Sequence, residues 1–239
     1  MKLKLIYLFL SFAFMLVFLT NVIVKAGAIN TEFSTQELPA ETKDRFVSNV
    51  SIELLTEEPE KRNVMSFDIN DQKMLAIGQG GHRGKEVCVY DSHGKYLYGY
   101  TFNCHQDFGI EWDGENINIY FVRSDIIMSV DSNGNVHDVK EVQNTSDNNK
   151  HHNKLLHSTS HTVGDTTYQI RNNLGIFSWL SLFYSQVVAI DADGEERIIY
   201  DAGSTQTLVT VILFVVISLL VFGITALVAL NYHKEKSNN

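Results

Sequence analysis

The sequence predicts an all-β domain of about three repeats, each of four short antiparallel strands, carried between two apolar segments. Three observations predict it. The pattern Asp-x-x-Gly, directly after an apolar or aromatic residue, occurs three times, as Asp91 with Gly94, Asp131 with Gly134 and Asp191 with Gly194. Around each copy lie short runs rich in β-branched and aromatic residues, bounded by Gly, Asn and Asp, which is strand and turn chemistry. Near each chain end, a long apolar run carries no charge.

The apolar runs come first because they set topology. Leu5–Val24 has no charge in 20 residues and Leu208–Leu230 none in 23. As helix these reach about 30 Å and about 35 Å, enough to cross a bilayer's hydrocarbon core. Neither has the polar stripe a soluble core helix would show. Residues 207–231 are therefore expected as a transmembrane helix, with 232–239 as a cytoplasmic tail. Residues 1–28 have two readings, a signal peptide cut after Ala26-Gly27-Ala28 or an uncleaved anchor. Lys2, Lys4, Lys234 and Lys236 flank the runs at the chain ends. The positive-inside bias then puts residues 29–206 outside the cytoplasm, at the cell membrane. That segment carries 14 Lys and Arg against 27 Asp and Glu, a charge of −13. Such an acidic surface excludes nucleic acid and anionic lipid headgroups as docking partners. Cys88 and Cys104 are the only cysteines. An extracytoplasmic setting permits a bridge. A hairpin turn at 91–94, however, sets position 88 opposite about 97 rather than 104. Bridged cysteines and two small apolar strand residues both stay open.

Along the chain, residues 29–62 read as a polar leader with a helical turn at Pro39–Phe46 and one strand at Val50–Leu55. A first unit, about 63–104, holds strands NVMSFDI, MLAIG, EVCVYD and KYLYGYTF. A second, 107–143, holds FGIEW, NINIYFV, IIMSVD and NVHDVKEV. In NINIYFV, Ile117, Ile119 and Phe121 fall on one pleat face and Asn116, Asn118 and Tyr120 on the other. A third, 155–202, holds HSTSHTV, TTYQIR, VVAID and EERIIYD. The Asp-x-x-Gly copies lie 40 and 60 residues apart. The longer interval contains a Ser/Asn/His-rich loop at 144–153 and an apolar insert, Leu174–Ser185.

A period near 40 with four strands per period is the signature of propeller-type repeats. The third and fourth strands of each unit resemble the outer hairpin of β-propeller blades, especially the NHL-like and six-bladed kinds. The resemblance covers roughly 63–202. It implies one twisted four-stranded sheet per blade. Propellers close with four to eight blades, and three are legible here. A dimer of three plus three, a further blade in 29–60, or an open stack would resolve the difference. An antiparallel β-sandwich built from the same hairpins is the alternative fold.

Few residues carry recognisable chemistry. His151, His152, His157 and His161 cluster in HHNKLLHSTSH. Of these, His152, His157 and His161 are the candidate metal ligands, set against a solvated loop. DADGEE and DSNGN lack the ligand positions of a calcium loop. No Gly-x-Ser-x-Gly, His-Glu-x-x-His or phosphate-binding loop is present. No cofactor is predicted. The insert offers Phe177, Trp179 and Phe183 as an interface or membrane contact, at a length too short to span. Loop residues His82, Arg83, Arg123 and Arg171 are candidate ligand contacts at one end of the strands, Arg123 and Arg171 holding equivalent positions in two units. Pairing of these arginines with Asp125 or Asp165 is the structural alternative. The function expected is a membrane-anchored, extracytoplasmic binding or protein-interaction module, working with the membrane and a second copy or a membrane protein. Alternatives are a metal-dependent hydrolase or lyase on a propeller and a structural accessory subunit of a membrane complex.

Overall fold

The structure, a computed structural model, describes residues 29–82, 84–172 and 183–237, with side chains in the C-terminal helix given for 211–227. The expected signal or anchor at 1–28 and most of the apolar insert lie outside the described residues. The described chain is mostly strand. After β1 (Thr35–Glu37), α1 (Ala40–Val50) and β2 (Glu53–Leu54) come three meanders. Sheet I contains β3 (Val64–Ile69), β4 (Leu75–Gly80), β5 (Lys85–Tyr90) and β6 (Tyr96–Phe102). Sheet II contains β7 (Phe108–Asp113), β8 (Asn116–Phe121), β9 (Ile126–Val130) and β10 (Val136–Val142). Then follow α2 (Ser146–His157) and sheet III, with β11 (Ser160–Val163), β12 (Thr166–Arg171), β13 (Gln186–Ile190) and β14 (Glu196–Asp201). The last element is α3 (Gly203–Ser237).

The three Asp-x-x-Gly segments form the turns between the third and fourth strands. Asp91 Oδ1 accepts from the backbone N–H groups of His93 and Lys95, both at 2.9 Å. Asp131 does the same with Asn133 and Asn135 at 2.8 and 2.9 Å. Gly94, Gly134 and Gly194 sit at φ 81°, 78° and 85°, a conformation that costs an L side chain.

Period-two alternation decides how the sheets stack. In β5, Val87 and Val89 face sheet II, while Cys88 and Tyr90 face sheet III. In β8, Ile117, Ile119 and Phe121 pack toward sheet I. Tyr120 turns the other way and packs with Ile29, Phe33 and Ile127. Sheet I is thus the middle layer, apolar on both faces. Each large side chain buried this way contributes about 1.5–3 kcal/mol. One end of the stack, the outer face of sheet II, is covered by the leader.

The expected fold class is corrected on several counts. The sheets have five, five and four strands and form no closed propeller of four-stranded blades. The leader supplies the extra strands: β1 pairs with β10 and β2 with β6, both antiparallel. A meander leaves its last strand with an unpaired edge, and the leader covers two of these edges. A two-sheet sandwich is also excluded by the double-sided packing of sheet I. Among the described residues no helix is long and apolar enough to cross a membrane, which overturns the expected anchor at 207–231. The C-terminal helix α3 nonetheless carries apolar side chains to its surface between 211 and 227. Its Leu213, Phe222 and Leu227 are exposed.

The segment expected as a loop at 144–153 is the start of α2. Thr145 caps it, its side chain accepting from Asn148 N, with Asp147 in the first turn and Lys154 and His157 in the last. Capping and dipole terms favour this helix despite its Asn content. The short turn expected at Pro39–Phe46 extends through Val50. Both cysteines are free and buried. Cys88 pairs with Gly99 across the ladder and packs toward sheet III, while Cys104 packs toward sheet II.

Candidate functional site

The first strands of the three sheets come together: β3 lies beside β7 and against β11, and α2 packs on β3 and β7. The close approach of α2 depends on Gly109 in β7. A β-carbon there would sit 2.7 Å from Leu155. Along this seam lies a cleft of about 340 Å³, lined by Asn30, Glu32, Asp68, Trp112, His151 and His161, with Glu111, Lys154 and Leu155 beside them. Five separate segments build it: the leader, β3, β7, α2 and β11.

His151 is the centre. It is 8% exposed, and its ring meets Phe33 edge-on at 4.4 Å. Nε2 lies 2.9 Å from Glu111 Oε2, and Nδ1 lies 3.1 Å from Glu32 Oε2 without the alignment of a hydrogen bond. Glu32 Oε1 accepts from Lys154 at 2.9 Å. The Lys154 bond holds the Glu32 carboxyl below its ordinary value. Asp68 Oδ2 accepts from the backbone N–H of Trp112 at 2.8 Å, and the Trp112 indole donates to the Asp68 carbonyl at 3.3 Å. His161 Nδ1 is 3.3 Å from Asp68 Oδ1. Burial pushes the Asp68 carboxyl up and the His161 imidazole down. Both shifts have one cause, the loss of water around a charge. Behind Glu111, Asn118 is fully buried. Its amide donates to the Asn30 carbonyl at 3.0 Å, and its Oδ1 has no partner.

Of the histidine cluster seen in sequence, His151 and His161 line this cleft, and of the candidate ligands only His161 does. His152 lines a smaller polar cavity of about 140 Å³ with Tyr120 and Asp125, its Nε2 buried and without a partner. His157 lines a third cavity with Arg62 and Phe183. Among the described residues no group of three His, Cys, Asp or Glu is placed to hold a metal ion. His152, His157 and His161 thus face three different cavities. The ligand candidates are also dispersed. His82 is exposed beside Arg62, Nε2 to guanidinium 2.8 Å. Arg123 is exposed, and its backbone N–H donates to Gln106. Arg171 makes two bonds to Glu196, at 2.9 and 3.0 Å, within its own sheet. Its acidic partner is thus Glu196 rather than Asp125 or Asp165. Arg83, Phe177 and Trp179 lie outside the described residues, while Phe183 is 59% exposed at a cavity rim.

Sequence reasoning missed Glu32, Asp68, Glu111, Trp112 and Lys154, and passed over His151. The one available signal was a carboxylate inside an apolar strand, Asp68 in SFDI and Glu111 in GIEW. Compared with family models and with curated proteins, the chain matches none.

Proposed function

We propose that this chain is a non-enzymatic binding module whose ligand site is the cleft around His151. One observation carries the reading: five segments distant in sequence converge on a cleft where Asp68, Glu111, His151 and His161 are held largely out of water, with Glu32 and Lys154 at the surface. Buried charge costs folding free energy, so a fold without a ligand to meet gains by replacing it with apolar groups. Binding is favoured over catalysis because each carboxylate in the cleft already faces a donor or cation of the chain. The metal-dependent hydrolase or lyase loses its donor set, since its three histidines line separate cavities.

The test is a thermal-shift titration of the protein with small amines, sugars and carboxylates, repeated on His151→Ala. A saturable rise in midpoint that disappears in His151→Ala is expected. No response to any class would sink the reading.

A second reading has its own observation. The exposed apolar side chains of α3 suit an accessory subunit held against a protein partner or a second copy. Light scattering on the full chain and on a chain ending at residue 202 separates the two. Self-association confined to the full chain favours the accessory subunit.

A further inference from the structure

Resting on the binding reading, we infer that the cleft takes an organic cation, a primary amine or guanidinium seated among Glu32, Asp68 and Glu111. The hydrogen-bond inventory points there. His151 is 8% exposed; its Nε2 meets Glu111 Oε2 at 2.9 Å, while its Nδ1, 3.1 Å from Glu32 Oε2, makes no aligned hydrogen bond. Asn118 Oδ1 is a buried acceptor without a partner, its amide nitrogen turned to Asn30 and Glu111. What is missing beside the cleft is a donor, and a ligand ammonium brings three.

Charge agrees. Three carboxylates line the cleft against one permanent cation, Lys154, and His161 is held toward its neutral form by burial. Lys154 is 61% exposed and reaches Glu32 from the surface. It therefore acts as a tethered competitor whose ammonium a ligand would displace. Such an exposed pair is weak and easily exchanged. Trp112 and Leu155 supply the apolar wall for a hydrocarbon stem, and an aromatic ring favours a nearby cation. The volume lies at the small end of the range for ligand pockets, roughly 300–1,000 Å³.

The test uses the full chain and calorimetric titration with 1,4-diaminobutane at pH 7.5, with acetate and glucose in parallel. Saturable binding of the diamine alone is expected. Lys154→Met should tighten it about threefold by removing the competitor. Glu111→Gln should weaken it about tenfold. Binding should weaken on acidification. Burial raises the Asp68 carboxyl, so acid removes negative charge there, beside His151, His161, Glu32, Glu111 and Lys154. Binding of acetate or glucose but not of the diamine overturns the cation assignment and leaves the binding module standing. No binding of any probe overturns both. Diamine binding that ignores Lys154→Met places the ligand elsewhere and overturns the site. This variant is at the surface, so the test survives even if Glu111→Gln fails to fold.

Discussion

Gly94, in the last turn of sheet I, lies so near the Ile199 carbonyl of β14 that a β-carbon on it would sit 2.4 Å from that oxygen. The equivalent Gly134 would meet Ile52 and Leu54 at 3.4 Å, and Gly194 would meet nothing within 4 Å. All three have positive φ, which costs an L residue about 1–2 kcal/mol. Only Gly94 adds a backbone clash, worth about 1–3 kcal/mol more. Urea midpoints should therefore place Gly94→Ala as the most damaging, about 3 kcal/mol, with Gly194→Ala near 1 kcal/mol. Equal losses at the three turns would contradict the stacking of sheet I on sheet III.

Two buried tyrosines should respond oppositely to loss of their hydroxyls. Tyr200 Oη accepts from Arg62 N–H at 2.8 Å and lies 2.6 Å from Gln79 Oε1. Gln79, fully buried, in turn donates to Glu86 at 2.8 Å. Tyr200→Phe strands these groups and should cost about 1–3 kcal/mol. Tyr100 is equally buried, but its hydroxyl has no partner. Tyr100→Phe should be neutral or slightly stabilising in the same denaturation experiment.

Acid should weaken the fold through the turn aspartates. Backbone N–H donors of Lys95 and His93 hold Asp91 below its ordinary value. For Asp131, burial pushes upward, but bonds from Asn135, Asn133 and His137 outweigh it. Thr166 and Arg197 lower Asp191. A carboxyl lowered in the folded state stabilises above its unfolded value, about 3.9, and that contribution is lost as pH falls through the folded value. Midpoints measured from pH 5 to pH 2 should decline, and Asp91→Asn should make the decline shallower. An unchanged slope in that variant removes Asp91 from the account.

The thiols should be inert in the native protein. Burial pushes Cys88 up to about 12 and also raises Cys104. The thiolate is the reactive form. Iodoacetamide at pH 8 should leave Cys88 unmodified until urea is added, when both cysteines react. A reductant should not shift the melting midpoint. A shift would mean that the two are bridged.

The part of the fold legible in sequence is the part held by neighbours along the chain. Asp91 and Asp131 announce turns because each side chain accepts from its own backbone two and four residues on, whereas Asp191 bonds Thr166 and Arg197; in all three turns glycine adopts the positive φ freely. Alternation in β8 foretold that Ile117, Ile119 and Phe121 share a face. The helix at 146–157 escaped notice because its apolar residues are few and its stability comes from the Thr145 cap and from packing on Gly109.

Sequence by itself determined the strands of the three meanders, their hairpins and the acidic balance, since these follow from short-range sterics and composition. Tertiary structure decided the rest. It chose β1 and β2 to cover the edges of β10 and β6, kept Cys88 and Cys104 on opposite faces of sheet I, and gave Arg171 to Glu196. It also separated His152, His157 and His161 while setting His151 between Glu32 and Glu111. Such contacts join residues up to 119 apart in number, Glu32 and His151 among them. Their energies depend on burial and on which edge is left open, quantities that exist only once the sheets have stacked.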